Sequence, residues 1–178
     1  VPHNAKICGN GTDKTKNYAI SYANGTLKVT PRDIADAQID MKQTEYVYDG
    51  VDHNPKPIIA IDNKTLKINV DYELSYTNNR DCGAGTVTIT GKGNYTGKVE
   101  ETFQITQKIP EKDADYKVAL PAASIYDGKP REASVWTRTG VGEVTVWYND
   151  STALPVRAGT YNVTVEIASS ENFSAVKR

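Results

Sequence analysis

The chain has 178 residues, which is enough for one domain of ordinary size or two small ones. Its formal net charge is −1 and its basic residues are scattered among acidic ones, so we expect no nucleic-acid partner. No window of 18 apolar residues occurs, which argues against a transmembrane segment in this fragment. The first residues, Val1-Pro2-His3-Asn4, lack an initiator Met and a signal pattern, so we interpret the chain as an internal or processed fragment.

The composition is typical of strands and turns. Thr, Asn, Val, Tyr and Gly dominate, whereas Leu and Met are scarce. No stretch of 11 residues or more has a 3.6-residue apolar period, and the best helical candidate, Asp33–Ala37, spans one turn. The sequence therefore predicts an all-β protein.

The front of the chain resembles the end of a later segment. Residues 17–30 and residues 94–106 both begin with Asn-Tyr and both end in an alternating stretch that closes on Thr. We therefore expect residues 1–31 to supply the C-terminal strands of a preceding repeat.

Three landmarks recur in the same order, at an offset of 74 to 78 residues. They are Tyr48-Asp49-Gly50 with Tyr126-Asp127-Gly128, Ala84-Gly85-Thr86 with Ala158-Gly159-Thr160, and Asn94-Tyr95-Thr96 with Asn172-Phe173-Ser174. Ordered recurrence of this kind is the signature of repeat architecture. It predicts a complete repeat over residues 32–107 (the first repeat) and another over residues 108–178 (the second repeat), which lacks its closing strand.

Period-2 alternation places half-buried antiparallel strands in both repeats. The apolar positions involved are Leu66, Ile68 and Val70, then Val87 and Ile89, then Val144, Val146 and Tyr148, and finally Tyr161 to Ile167. Short strands with frequent turns favour tandem small antiparallel β-sandwich (Ig-like) repeats. A β-grasp-like sheet is the alternative, although it needs a crossover helix that the pattern does not offer. The polar segment from Thr106 to Lys112, which contains Pro110, is expected to be a linker.

These landmarks resemble the bacterial surface repeats of the MBG or YDG type. The resemblance rests on Tyr48 to Gly50, Asp71 to Asn79, Gly83 to Thr86 and Gly91 to Gly97 in the first repeat, on Tyr126 to Pro130 and Ala158 to Tyr161 in the second, and on Asn17 to Leu27 at the front. It implies an extracellular or cell-surface repeat protein of a bacterium, whose modules act as spacers or adhesive units and carry no catalytic residues. Cys82 departs from the small polar or apolar residue that such repeats usually hold there.

The Tyr-Asp-Gly landmarks also have a purely structural interpretation. Gly50 and Gly128 tolerate a positive φ in the turn, and the preceding Tyr48 and Tyr126 can bury their rings and hydrogen-bond their hydroxyls at a sheet corner.

Catalytic chemistry finds no support in the sequence, so we expect no enzyme, no cofactor and no metal. His3 and His53 stand outside any nucleophile motif, and the glycine-rich stretches open strands instead of helices. Asp71, Asn78, Asn79 and Asp81 form the best calcium candidate, but an ordinary turn is the favoured interpretation.

The two cysteines, Cys8 and Cys82, allow two interpretations. They are either free, partly buried thiols or one long-range disulfide. The disulfide would require the front of the chain to dock near the turn at residues 78–85.

Aromatic residues of the second repeat are the candidate ligand-binding positions, namely Trp136, Trp147 and Tyr148. A tryptophan offers a flat apolar face for a sugar ring or a partner's side chain. Trp147 is out of phase with Val144, Val146 and Tyr148, so we expect it on the solvent-facing side of its strand.

The leading functional hypothesis is a structural or adhesive module that acts as a stalk or spacer next to neighbouring repeats of the same chain. The first alternative is a module that binds a glycan or a host surface protein. The second is a filament subunit that associates head to tail by strand exchange, because the second repeat leaves a sheet edge open and the front carries closing strands.

Overall fold

The computed structural model describes residues 3–123 and 125–178 and confirms the all-β prediction. Within those residues there is no α-helix, and the helical elements are 3₁₀ turns at Thr15–Asn17 and Ile34–Asp36. The second turn confirms the single helical turn expected there, and the Asp33 carboxylate caps it by accepting a 3.0 Å hydrogen bond from the amide of Ala35. The chain divides into two compact units, residues 1–31 and residues 32–178, which we describe separately.

The first unit, residues 1–31 (the front segment), contains one small hairpin. Strands β1 (Cys8–Gly9) and β2 (Thr12–Asp13) pair antiparallel around a turn in which Asn10 and Gly11 both have positive φ. The strand expected to end at Thr30 is not formed, since residues 18–31 carry no strand. A strand is stable only when neighbours pair with it, and the front segment offers partners of two residues only.

The first repeat is built from nine strands. They are β3 (Arg32–Asp33), β4 (Gln38–Asp40), β5 (Glu45–Val47), β6 (Ile58–Ile61), β7 (Lys64–Thr65), β8 (Tyr72–Thr77), β9 (Gly83–Gly91), β10 (Tyr95–Thr96) and β11 (Lys98–Thr106). Its two larger sheets have the orders β5-β11-β9-β8 and β4-β6-β7, and β3 pairs with β10 in a two-stranded sheet. The expectation of wholly antiparallel strands is wrong at two places, because β5 runs parallel to β11 and β3 runs parallel to β10. Strands so far apart in sequence need no hairpin, so their relative direction is free.

Two apolar clusters form the core of the first repeat. The inner cluster joins side chains of both sheets: Ile34, Ile59, Ile61, Leu66, Tyr72 and Ile89. The closing cluster consists of Met41, Val87, Phe103 and Ile105, of which the last two come from β11. Fully burying one such side chain stabilises the fold by about 1.5 to 3 kcal/mol. Facing apolar surfaces of two sheets are the packing expected of a sandwich.

The strand expected through Leu66, Ile68 and Val70 is wrong beyond Thr65. The segment folds into a turn, in which the Asp71 carboxylate accepts a 2.9 Å hydrogen bond from the amide of Lys67. Asn69 adopts a positive φ there, which a ladder of extended residues cannot accommodate.

The second repeat has five strands in two sheets. They are β12 (Tyr116–Ala119), β13 (Ser134–Thr137), β14 (Val144–Tyr148), β15 (Val163–Ile167) and β16 (Val176–Lys177). β12 pairs with β13, and the other sheet has the order β14-β15-β16. The alternation over Val144 to Tyr148 is confirmed, whereas β15 begins two residues later than Tyr161, where we expected it. Tyr116, Val165 and Ile167 form the buried cluster between the sheets.

The two Tyr-Asp-Gly landmarks take matching local structures, whereas Ala84-Gly85-Thr86 lies within β9 and Ala158-Gly159-Thr160 lies outside the strands. Gly50 and Gly128 have φ of 84° and 76°, as the turn predicts. In both turns the Asp carboxylate accepts a 3.0 Å hydrogen bond from the amide two residues later. Burial of the tyrosine ring differs, because Tyr48 is half-buried while Tyr126 is 63% exposed, so the expected buried corner is wrong for Tyr126.

We predict that Gly85→Ala destabilises the chain by about 1 to 3 kcal/mol, because its Cβ would overlap the ring of Phe103. The matched control is Gly159→Ala in the second repeat, where the nearest atom, on the Tyr161 ring, lies at an ordinary 3.7 Å. Chemical denaturation of both variants measures the difference. Equal stability of the two variants would contradict the close contact of β9 with β11.

Candidate functional site

The contact between the two repeats centres on Asn172. Its side-chain oxygen accepts a 2.8 Å hydrogen bond from the amide of Cys82, and its side-chain nitrogen donates to the Asp81 carboxylate at 2.9 Å. The side chain of Gln107 donates to the backbone oxygen of Ser170 at 2.6 Å. Specific polar contacts therefore hold the second repeat against the turn that precedes β9. We call this contact region between the two repeats the junction.

An aromatic contact accompanies these hydrogen bonds. The Phe173 ring is fully buried and lies edge-on to Tyr48, with 5.4 Å between ring centroids. Tyr48 belongs to the Tyr-Asp-Gly landmark of the first repeat, and Phe173 to the Asn-Phe-Ser landmark of the second. Edge-to-face aromatic pairs contribute about 0.5 to 1.5 kcal/mol beyond the area that they bury.

The Asn-aromatic landmark has one backbone geometry in both repeats. The amide of Arg32 donates to the oxygen of Asn94 at 2.9 Å, and the amide of Lys108 donates to the oxygen of Asn172 at 3.0 Å. Each of these basic residues then forms a parallel bridge with the aromatic residue that follows the Asn. In both repeats, the same backbone hydrogen bond and parallel bridge thus fix the segment that leads into the repeat.

The expected linker is an ordered part of the junction. Pro110 is fully buried, and the ammonium group of Lys108 lies 2.8 Å from the carboxylate of Asp115. Asp115 is 1% exposed and also accepts a 3.0 Å hydrogen bond from the amide of Glu111. Its second oxygen lies 3.6 Å from the guanidinium of Arg138. A buried carboxylate with these partners ties the connecting segment to the second repeat.

Burial by itself would raise the pKa of Asp115. The hydrogen bonds from Lys108 and from the Glu111 amide, with the positive charges of Lys108 and Arg138, outweigh it and hold the pKa below the usual 3.8. The carboxylate is therefore ionised at neutral pH.

Both cysteines are free thiols in the structure, and a disulfide between them stays a prediction. Cys8 is exposed, whereas Cys82 lies in the junction, with its sulfur 3.8 Å from the backbone oxygen of Asn172. Burial raises the pKa of the Cys82 thiol, and the negative charges of Asp81 and Glu171 raise it further. Cys82 therefore places a thiol against the second repeat.

The three aromatic candidates lie in different environments. Trp136 is 54% exposed on β13, with the Lys117 ammonium 5.9 Å from its ring. Trp147 lies on the face of β14 opposite the core, but it is half-buried beneath Lys177 and donates a 2.9 Å hydrogen bond to Glu166. Tyr148 is buried, and its hydroxyl accepts a 2.7 Å hydrogen bond from the amide of Ala133. Among these three, Trp136 has the ring most open to a ligand.

An open groove of about 360 Å³ borders β15 in the second repeat. Its apolar lining includes Leu120, Ile125, Tyr126, Val156 and Val163. Ile125 is 92% exposed. Sequence reasoning did not identify these lining residues as a groove.

Polar residues that we considered for chemistry serve the fold instead. The His53 ring stacks on Tyr46 with 4.5 Å between centroids, and Asn79 donates to the backbone oxygen of His53 at 3.2 Å. Asp71 and Asp81, of the calcium candidate, accept the hydrogen bonds described above. The described residues hold no group of three or more His, Cys, Asp or Glu side chains placed to bind a metal. None of their helices is long and apolar enough to cross a membrane.

We predict that Asp115→Asn lowers the free energy of unfolding at neutral pH by about 2 to 3 kcal/mol, since it leaves Lys108 and Arg138 without their buried partner. Because the folded-state pKa of Asp115 lies below the usual 3.8, this stabilisation is complete above pH 3.8. It is lost as the pH falls from 3.8 through the folded-state pKa. The gap between wild type and variant should therefore close in acid. Denaturation across pH, with the exposed Asp113→Asn as control, tests it; a gap that does not depend on pH would contradict the assignment.

A comparison with curated proteins and with solved structures found no match. Residues 118–176, from β12 to β16, match the family model described as MBG domain. The match confirms the resemblance to MBG-type repeats for this part of the second repeat.

Proposed function

We propose that this chain is a structural module of a bacterial cell-surface or secreted repeat protein and acts as a stalk or spacer. The observation that carries the proposal is the junction, in which Asn172 and Phe173 of the second repeat bind Cys82, Asp81 and Tyr48 of the first. A spacer must hold its units at a fixed angle, and this junction resists bending.

Opening the junction exposes Phe173, whose burial is worth about 1.5 to 3 kcal/mol. It also breaks the two hydrogen bonds of the Asn172 side chain, each with a net value of about 1 kcal/mol. A bent state is then rare at equilibrium, and the pair of repeats behaves as one body.

Repetition of the landmarks supports a role in a longer array. Tyr126 in the second repeat corresponds to Tyr48, and Asn94 in the first repeat corresponds to Asn172. Both Tyr126 and Asn94 are exposed, so each is free to make the same contact with a further repeat. The MBG match at residues 118–176 supports the extracellular or cell-surface location of such an array.

Glycan or host-protein binding is the second candidate function, favoured by the exposed ring of Trp136. The neighbouring Lys117 gives this surface a positive charge beside an apolar face, which suits an acidic sugar. This adhesive role is compatible with the spacer role, because the junction does not use Trp136.

We predict a narrow distribution of distances between spin labels placed on the two repeats. The double substitution Asn172→Ala with Phe173→Ala should broaden that distribution, because it removes the polar and apolar contacts of the junction together. Double electron–electron resonance provides the measurement. The control is Asn94→Ala at the corresponding exposed position, which should leave the distribution unchanged. A broad distribution in the wild type would refute the spacer proposal.

We predict that a glycan bound at Trp136 changes the intrinsic tryptophan fluorescence, and that Trp136→Ala abolishes binding without loss of stability. Titration with a broad glycan panel that includes acidic sugars is the test. Trp147→Ala serves as the comparison, because the Trp147 ring is occupied by Lys177 and Glu166. No response to any glycan would remove this candidate.

A further inference from the structure

The solvent-facing side of the sheet formed by β12 and β13 (the outer face) carries an open aromatic ring between small and basic residues. Trp136 is 54% exposed and lies directly opposite Lys117 in the register. Two residues further along β13, the side chain of Arg138 is 43% exposed. On the other side of Trp136, the exposed Ala119 pairs with the exposed Ser134. Because these two side chains are small, they leave one flank of the indole ring open.

The first repeat has the same pair of strands in β4 and β6. One apolar pair packs against the core in each case, Ile39 with Ile59 in the first repeat and Val118 with Val135 in the second. Aligning these pairs matches the outer positions Gln38, Asp40, Ile58, Ala60 and Asp62 of the first repeat with Lys117, Ala119, Ser134, Trp136 and Arg138 of the second, in that order.

An ion pair in each repeat supports this alignment. The guanidinium of Arg32 lies 3.2 Å from the Asp36 carboxylate, and the ammonium group of the equivalent Lys108 lies 2.8 Å from the Asp115 carboxylate. Each carboxylate precedes the first outer position of its repeat by two residues. The two faces are therefore compared position by position.

The chemistry of the face is reversed between the repeats. Its five positions in the first repeat include Asp40 and Asp62 and no base, which gives a charge of −2 and no aromatic ring. The same positions in the second repeat include Lys117 and Arg138 and no acid, which gives +2, together with Trp136. Since the first repeat forms this pair of strands without a tryptophan, the fold does not require one here.

The neighbouring acid leaves this positive charge in excess. Asp115 pairs with both Lys108 and Arg138, so these three side chains carry two positive charges and one negative charge, a net +1. Lys117 adds another positive charge beside the Trp136 ring, 5.9 Å from its centroid. A ligand that complements the outer face is therefore anionic and carries a flat ring.

We propose that the outer face binds an acidic polysaccharide whose sugar rings carry carboxylate groups. One ring stacks on Trp136, and carboxylates pair with Lys117 and Arg138. This binding rests on the second candidate function, glycan binding at Trp136, and adds the class of glycan and the two residues that select it.

The spacing of the strand suits a polymer of this kind. Residues rise by about 3.3 Å each along a strand, so Trp136 and Arg138 are about 6.6 Å apart on the outer face. That distance is comparable with the length of one sugar unit, so a ring on Trp136 brings the next carboxylate towards the guanidinium, which can bind it through two hydrogen bonds. An acidic peptide supplies the charge without a ring for Trp136.

Isothermal titration calorimetry of the whole chain tests the ligand class. The probes are oligomers of galacturonic acid, the same oligomers with every carboxylate methyl-esterified, and polyglutamate of equal charge. We expect the acid oligomers to bind at least about tenfold more tightly than the esters, which keep the rings but lose the charge. Polyglutamate should bind at least about tenfold more weakly than the acid oligomers, because it has no ring to stack on Trp136.

Two substitutions install the residues of the first repeat and are therefore compatible with the fold. Lys117→Gln, which matches Gln38, should weaken binding of the acid oligomers by about five- to tenfold and leave the esters unchanged. Trp136→Ala, which matches Ala60, should weaken binding of both forms. The control is Lys177→Gln, which removes the same charge beside the half-buried ring of Trp147 and should leave both affinities unchanged.

Equal affinity for the acid and the ester would overturn this proposal while leaving glycan binding at Trp136 intact. Polyglutamate that binds as tightly as the acid oligomers would also overturn it, because charge alone would then explain the binding. No binding of any oligomer would overturn both this proposal and the second candidate function. None of these results bears on the distance measurement across the junction, which tests the spacer role.

Discussion

Pairing of β9 with β11 is the interaction on which the first repeat depends. It joins the longest strands of the molecule and brings Phe103 and Ile105 into the closing cluster against Val87. Gly85 permits this approach because it has no Cβ to meet the Phe103 ring. The other edge of β9 pairs with β8, so both hydrogen-bonding edges of the strand are satisfied.

The second repeat has a core of the same kind. Val165 and Ile167 are buried as Val87 and Ile89 are, but β15 has a partner of two residues on its outer edge. Apolar side chains beside β15 line an open groove, with the exposed Ile125 at its rim.

The junction links the two repeats through residues that also recur as landmarks. Asn172 and Phe173 serve their own repeat through the bridge to Lys108, and at the same time contact Cys82 and Tyr48 of the neighbouring repeat. Because Asn172 and Phe173 both stabilise their own repeat and contact the neighbouring one, local folding and the spacing of the two repeats are coupled. The buried carboxylate of Asp115 stabilises this arrangement, because its ion pair with Lys108 fixes the segment that connects the two repeats.

The sequence by itself determined the all-β class, the order of the landmarks, the alternating strands β9 and β14, and the Gly turns at Gly50 and Gly128, because these follow from local side-chain periodicity and backbone preference. Tertiary structure decided the rest. Val70 lies in a turn and not in a strand, because the Asp71 carboxylate accepts a hydrogen bond from the amide of Lys67. Tyr148 is buried because its side chain faces the core, whereas the side chain of Trp136 is exposed. The parallel pairing of β5 with β11 and the hydrogen bonds of Asn172 to Cys82 join residues distant in sequence, and local patterns do not encode such distances.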